Sequence, residues 1–529
     1  MLLLSICCFV LAVQAVDSCA PTLNPPSDAT SLELDSNVPL SNAADLANKL
    51  QQALANLNAS KYGSTTQEET LGVDGNIINF AIMPKVLIAG AGLVGALNAV
   101  FFARRGWEVE VYEMRSDIRK MEHVPGRSIN LALSQRGKSS LEAVGLRSYI
   151  VERGVELHAR LIHDPDGKSY HRQPYGQPGE HIVSINRRHL NEVMITETER
   201  YENVKFFFEH KTQKVDLKRK SLVLENLITG EMVNATGDLI LACDGAFSAV
   251  RRSLMTCPRF DYSQEYIEHG YVELNILPQN ADFAMEPNVF HLWPRGDFTL
   301  IALANTDKTF TVTLFAPFEV FERELSDAAQ QVAFFRRHFP DALKLMGEQH
   351  VVEVFERVGK PSALISIKCQ PHGFADVLLL MGDAAHSMVP FYGQGMNAGF
   401  EDCLILDEIL NQIGNDIPAV VKAYSNTRVP DAHVIIDLAM YNYQELKDLV
   451  NKFSYKLRKK LDLTLNRWFP NSWVPLYSMV TFSRIPYREV VQRRQRQDAI
   501  LRRARMVIGF GIVGALLYKL RTLRAFQLT

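Results

Sequence analysis

The stretch Lys85–Glu113, KVLIAGAGLVGALNAVFFARRGWEVEVYE, restricts what this 529-residue chain can fold into more than any other. Val86–Ala89 is a short apolar run, the pattern of a buried parallel strand. Gly90-Ala91-Gly92-Leu93-Val94-Gly95 follows at once and opens an apolar segment that predicts a helix to about Arg105. Glu108–Tyr112 reads as a second strand and delivers Glu113 at its end. In such a strand–turn–helix–strand unit Gly90 makes the tight turn, Gly92 lets backbone approach a pyrophosphate, and Gly95 lets the helix pack on the strand. The helix N-terminus offers unpaired N–H groups and partial positive charge to phosphates, and Glu113 is placed for the ribose hydroxyls. A dinucleotide site is therefore expected here. A second spacing match, Gly509-Phe510-Gly511-Ile512-Val513-Gly514, lies in an apolar tail with no strand pair and no acid after it, and reads as a decoy.

The remaining composition is that of an ordinary globular chain, 47% hydrophobic and 22% charged, with room for two or more core-forming units. A net charge of −2 gives no bulk attraction to nucleic acid. Its ends differ from its middle. Residues 1–80 carry two basic residues against eight acidic ones, and residues 484–529 eleven basic against two acidic. Seven scattered cysteines, with no CxxC pair, predict reduced thiols in the main body and neither a disulfide framework nor a metal site.

Met1–Ala15 has the apolar run and small-residue ending of a secretory signal peptide but lacks a basic start. Residues 16–82 form a polar leader expected to be largely disordered, and Met83-Pro84-Lys85 would serve as a natural start. A helix is expected over about Arg136–Val144, a strand over Ala159–His163, and a helix over about Arg188–Arg200. Asp238–Cys243 reads as a second buried strand ending on Asp244-Gly245, and Val377–Met381 as a third, ending on Gly382-Asp383. Gly393-Gln394-Gly395-Met396-Asn397 then opens a helix of about Ala398–Gly414 beside a second phosphate or ring cradle. Between Arg259 and Phe318 apolar and polar residues alternate, the period of a half-buried antiparallel sheet. Leu446, Leu449, Val450, Phe453, Leu457 and Leu461 form a helical stripe, read as core packing. Met506–Tyr518 is an uncharged run between basic clusters, shorter than the roughly 20 residues of a full span, and is expected to attach the tail to a membrane.

The Gly-rich turn with Glu113, Cys243-Asp244-Gly245 and Gly382-Asp383-Ala384-Ala385-His386 together resemble the flavin-dependent aromatic hydroxylases with a single FAD-binding domain. GRSINLALS (126–134), FDYSQEYIEHGY (260–271), MEPN (285–288), GQGMNAGFEDC (393–403), MYNYQE (440–445) and PLYSMVTFSR (475–484) resemble the kynurenine-hydroxylating members of that family, from about Pro84 to the tail. That resemblance implies FAD held by Gly90, Gly92, Leu93, Val94, Gly95, Glu113, Arg115, Ala132, Arg187, Asp244, Gly245, Gly382, Asp383, Gly395, Met396 and Asn397. It implies a substrate carboxylate held by Arg160 and Tyr175, with Asn442 and Tyr477 completing the pocket and Phe391 as a ring wall. By residue type alone, Arg160 reads as a surface strand charge, Asn442 as a solvated polar group on a helix and Phe391 as core. The implied reaction consumes L-kynurenine, NADPH and O2, the oxygen reaching the ring from a flavin hydroperoxide, with no side chain acting as nucleophile or acid–base and no metal. Another aromatic acid as substrate, or a non-catalytic FAD protein, are the alternatives.

The expected architecture is α/β, with a discontinuous Rossmann-like FAD-binding domain at 83–258 and 369–415 and an antiparallel-sheet substrate domain at 259–368. A helical region follows at 416–501, then a membrane-anchor segment at 502–529. The resemblance implies the outer mitochondrial membrane with the catalytic part facing the cytosol; residues 1–15, acting as a signal peptide, would direct the chain to the secretory pathway instead. The sequence carries no oligomer signal.

Overall fold

The computed structural model describes residues 68–73, 76–81, 83–121, 130–177, 179–447 and 453–526. The signal peptide, most of the leader and Gly126–Ile129 lie outside the described residues, as do Leu449 and Val450 of the predicted stripe. The rest is mixed α/β, as expected, with a helical C-terminal region.

A six-stranded sheet runs in the order Val204–Phe207, Glu108–Tyr112, Lys85–Ala89, Leu239–Ala242, Leu378–Leu380, Gly373–Phe374. Its first five strands are parallel and the last pair is antiparallel. Because side chains alternate along a strand, each strand serves two layers. Val86 and Ile88 pack with Ala99 and Phe102 of the helix Leu93–Arg104 and with Leu406 and Tyr424 of the helices Gly395–Ile413 and Ile417–Lys447. Leu87 and Ala89 pack on the other side with Leu222, Leu224 and Ala235 of a three-stranded antiparallel sheet, residues 210–236. With both faces covered, the continuous apolar runs read from the sequence are what this sheet requires.

A seven-stranded sheet carries the second layer, in the order Ser362–Gln370, Asp261–Ile276, Phe310–Pro317, Phe298–Ala304, Val289–Arg295, Ala159–His163, Tyr170–Pro174. Leu300, Ala302 and Ala304 pack from one face onto Phe334, Phe335, Leu343 and Val351 of four helices spanning 318–358. This corrects the expected domain boundaries. The strands at 159–163 and 170–174 do not belong to the nucleotide fold: Ala159–His163 pairs in parallel with Val289–Arg295, about which local sequence is silent. A third small sheet joins Leu131–Leu133, Ile182–Ile185 and Val155–Leu157.

Three further expectations change. Residues 68–73 and 76–81, in the segment expected to be largely disordered, form an antiparallel strand pair. Leu457 and Leu461 are exposed, at 57% and 37%, so they do not pack as the stripe predicted. The cradle helix begins at Gly395, three residues early. The Gly509–Gly514 match lies inside the helix Tyr487–Phe526 with no strand before it, and remains a decoy. Contacts divide the chain into two units. The smaller, described over residues 462–474 and 491–526, holds Leu465, Trp473 and Leu501 in its own cluster, with Asp462 accepting from Trp473 Nε1 at 3.0 Å and from Arg494 at 2.9 Å. Among the described residues no helix is long and apolar enough to cross a membrane. Cys243, Cys369 and Cys403 are buried free thiols, and Cys257 is half-buried and free.

Candidate active site

Two Gly-rich turns and two helix N-termini border one cavity of about 480 Å3, which lies wholly within the larger unit. Gly90 has φ +97°, and a Cβ on it would lie 2.5 Å from the Cys243 carbonyl oxygen, where the neighbouring parallel strand ends. A Cβ on Gly95 would lie 1.9 Å from Gly90 O, so the helix can seat on this turn only as glycine. Gly92 differs: it lines the cavity in extended conformation, and a Cβ there would meet nothing within 4 Å. The space beside it is room for a ligand. Leu93 and Val94 open one helix onto the cavity and Gly395 and Met396 open another, so free N–H groups and two positive dipole ends face the same volume.

Acidic groups stand where strands end. Glu113 lines the cavity and its carboxylate accepts from Ala91 N–H at 2.9 Å and Arg115 N–H at 3.0 Å, tying the second strand end to the Gly-rich turn. One oxygen of Asp244 accepts from Ala249 and Val250 N–H at 2.8 and 3.2 Å, while Oδ1 is buried without a partner. Burial pushes its carboxyl up. Asp383, Gly245, Arg115, Arg187 and Ala132 also line the cavity. Gly95, Gly382 and Asn397 do not. Asn397 is spent on backbone: its amide donates to Ala132 O at 2.8 Å and Gly393 O at 2.7 Å and accepts from Ser134 N–H at 2.8 Å. It shapes the cavity wall from behind.

The other end of the cavity is aromatic around one cation. Arg160 is buried, its guanidinium 4.8 Å from the Tyr477 ring centre and 5.8 Å from that of Tyr175. Tyr175 and Tyr477 stack at 5.5 Å, and Tyr477 stacks on Tyr392 at 5.9 Å. Burial works against the Arg160 charge, but Tyr477, Tyr175 and Glu445 around it outweigh that and raise its guanidinium above the ordinary arginine value. Among the described residues no carboxylate comes within ion-pair distance of it. A buried cation that faces a cavity, with no carboxylate in contact among the described residues, is a receptor for an anion. Phe391 lines the cavity between Phe315 and Tyr443, at 4.9 and 4.6 Å. Asn442 is not on the cavity wall: it donates to the Phe391 carbonyl at 2.7 Å and holds that wall in place.

Sequence reasoning missed Tyr392 and the apolar wall formed by Thr299, Ile301 and Leu303. The signal was present. In Phe298–Ala304 these three alternate with Leu300, Ala302 and Ala304, which face the helices, so one strand supplies core with one face and cavity with the other.

Residues 83–439 match the FAD binding domain family. A Caenorhabditis elegans kynurenine 3-monooxygenase is 67% identical over 436 residues, covering 80% of this chain and 94% of that protein. The Sus scrofa kynurenine 3-monooxygenase is 46% identical over 426 residues, covering 80% and 89%. This chain belongs to the kynurenine 3-monooxygenase family. It is a flavin monooxygenase and its cofactor is FAD. The open space at Gly92, the unpartnered Asp244 oxygen and the paired helix N-termini fit that cofactor. The fold is shared more widely. 2-Methyl-3-hydroxypyridine-5-carboxylic acid oxygenase has a TM-score of 0.57 at 19% identity, covering 70% of this chain and 94% of that one. Klebsiella pneumoniae HpxO, solved with FAD and uric acid, also has a TM-score of 0.57, at 18% identity, covering 74% and 95%.

Proposed function

We propose that this kynurenine 3-monooxygenase family member converts L-kynurenine, NADPH and O2 to 3-hydroxy-L-kynurenine, NADP+ and water, in tryptophan breakdown. The observation that carries the reading is Arg160: a buried cation among tyrosines on the cavity wall, with no carboxylate within ion-pair distance among the described residues. FAD, when bound and reduced by NADPH, supplies the oxygen-activating chemistry. Gly92 and the helix start at Leu93–Val94 would hold its pyrophosphate, with Glu113 and Arg115 toward the ribose, and Asp383 with the Gly395–Met396 helix start would hold its flavin end. Arg160 grips the substrate carboxylate, each charge-assisted bond contributing on the order of 1.5–3 kcal/mol when shielded. Tyr175, Tyr477 and Tyr392 orient the amino-acid portion, and Phe391, Ile301 and Leu303 confine the aromatic ring and exclude water. No side chain is required as nucleophile.

The test is NADPH consumption by the purified, FAD-loaded protein with and without L-kynurenine, the product being weighed. Strong stimulation and a product one oxygen heavier, both lost in Arg160→Ala with FAD retained, are expected. A flavin-replete protein that kynurenine does not stimulate would point to another aromatic acid.

We also propose that the tail attaches the enzyme to a membrane, the outer mitochondrial membrane being the site that suits a cytosolic NADPH supply. Met506, Val507, Ile508, Phe510 and Val513 are all more than half exposed on the helix Tyr487–Phe526, between basic clusters at 502–505 and 519–524. Because no described helix is both long and apolar enough to cross, attachment by insertion of this apolar stretch with flanking cations at the surface is the reading that suits it. Deletion of residues 502–529 should release the protein to the soluble fraction; unchanged sedimentation with membranes would reject it.

A further inference from the structure

Glu156 and His158 lie at alternate positions at the end of the strand Val155–Leu157, which pairs with Ile182–Ile185 so that Leu157 faces Ile182. Alternation separates two roles. Leu157 and Ile182 point inward and pack with Tyr175, Ile182 reaching the cavity wall. Glu156 and His158 point outward, and His181, next to Ile182, joins them there with all three accessible to solvent.

The geometry is that of a ligand set. A Glu156 oxygen lies 3.6 Å from His158 Nε2 and the other 3.6 Å from His181 Nε2. One donor atom from each of the three falls within 4.8 Å of the other two, the one such group of His, Cys, Asp and Glu among the described residues. Bond lengths of about 2.0–2.2 Å to nitrogen and oxygen put neighbouring donors of a tetrahedral ion roughly 3.4 Å apart, so each imidazole nitrogen already lies near donor spacing from one Glu156 oxygen, and a small rotation of these exposed side chains gathers all three on one ion.

Both the backbone and the ring chemistry prepare the site. Asn288 fixes the strand from both sides, its carbonyl accepting from His158 N–H at 3.0 Å and its side-chain amide donating to Glu156 O at 3.0 Å. His181 Nδ1 lies 3.0 Å from the Gly179 carbonyl oxygen, which can only accept. The ring therefore carries its hydrogen on Nδ1 and presents a lone pair at Nε2, the arrangement by which a backbone carbonyl orients a metal-binding imidazole. The occupant of that lone pair is Lys138, whose Nζ lies 3.1 Å from Nε2.

We infer that Glu156, His158 and His181 bind a divalent transition-metal ion of the zinc class, with water completing the shell and Lys138 as the competitor it displaces. Two imidazoles and one carboxylate suit Zn2+, Cu2+ or Ni2+ and give no preference to Mg2+ or Ca2+, which take oxygen ligands. An ion here braces from outside the two strands whose inward residues form the substrate end of the cavity.

The full-length, FAD-loaded protein, stripped with chelator, should be titrated with ZnCl2 by calorimetry. One equivalent should bind, Mg2+ should give no heat, and the double variant His158→Ala/His181→Ala should weaken Zn2+ by at least about tenfold. Lys138→Met should tighten it. FAD content of each variant reports the fold, since the ligands are surface groups. Absence of a Zn2+ heat, or equal stoichiometry and affinity in the double variant, overturns the site.

Discussion

Asp402 reaches back twenty residues to accept the Gly382 N–H at 2.9 Å, and so anchors the turn that presents Asp383 to the FAD cavity. The same oxygen lies 2.6 Å from His386 Nε2, and Oδ1 accepts from Arg428 Nε at 2.8 Å. Arg428 also pairs with Glu401 at 3.4 Å, and Glu401 with Arg136 at 2.7 Å, all of them buried. Burial alone would raise the Asp402 carboxyl, but the His386 and Arg428 charges outweigh it and hold it well below the usual carboxylate range. Asp402→Ala leaves two buried partners uncompensated and should cost about 3–5 kcal/mol in urea unfolding. The depressed carboxyl contributes stability that is present above its unfolded value near 3.9 and is lost as pH falls below that. Wild type should therefore lose stability more steeply than Asp402→Asn on acidification below about pH 4; parallel curves would remove Asp402 from the role.

Gly92 and Gly95 of the first turn should separate by assay. Gly95→Ala drives a Cβ to within 1.9 Å of the Gly90 backbone oxygen, which cannot swing away, and should exceed the ~1–3 kcal/mol of ordinary overpacking, lowering the apo-protein's melting temperature. Gly92→Ala meets open space in extended backbone and should melt as wild-type apo-protein does. Its methyl enters the cofactor's volume, so FAD should bind at least about tenfold more weakly, roughly 1.4 kcal/mol. Fluorescence titration with FAD checks this; unaltered FAD affinity in Gly92→Ala would place the pyrophosphate elsewhere.

Asn442 is predicted to act through Phe391. Removing its amide leaves the Phe391 carbonyl without its 2.7 Å donor, a penalty of about 1–3 kcal/mol if the site stays dry. Asn442→Ala should keep FAD, raise the kynurenine KM and release more peroxide per NADPH, because the ring wall is loosened. Unchanged coupling and KM would show that the wall is held without it.

How far the sequence carried these conclusions depends on distance along the chain. Gly90, Glu113, Asp244 and Asp383 were legible because each ends an apolar run, and short runs ending in glycine and acid are local patterns. The partner of Ala159–His163 was not, since its parallel neighbour lies about 130 residues on and neither strand records the other. That missed pairing is what buries Arg160, beside Phe290, and turns a plausible surface charge into the cavity's cation. Asn397 and Asn442 stood out only through the motifs that carry the family resemblance, and only coordinates show that both spend their amides on backbone. Leu457 and Leu461 had the right spacing for core and lack a covering surface.

Lys459 gives the substrate end of the cavity a pH response. Burial first, and the Arg160 charge second, pull its ammonium down to about 7, against the opposing Glu445. Tyr455 donates to Glu445 at 2.5 Å, which fixes that carboxylate near this group. Below pH 7 Lys459 is protonated and adds positive potential beside Arg160; above it that charge is gone while the substrate carboxylate stays ionised. The kynurenine KM should therefore rise between about pH 6 and pH 8, and Lys459→Met should flatten this step with FAD still bound. Stability moves the opposite way, improving as pH rises. The unfolded lysine keeps its proton to about 10.4 and the folded one only to about 7, so the penalty for burying this group relaxes as pH rises between them. A Lys459→Met profile that follows wild type in both KM and unfolding midpoint would assign the response to another group.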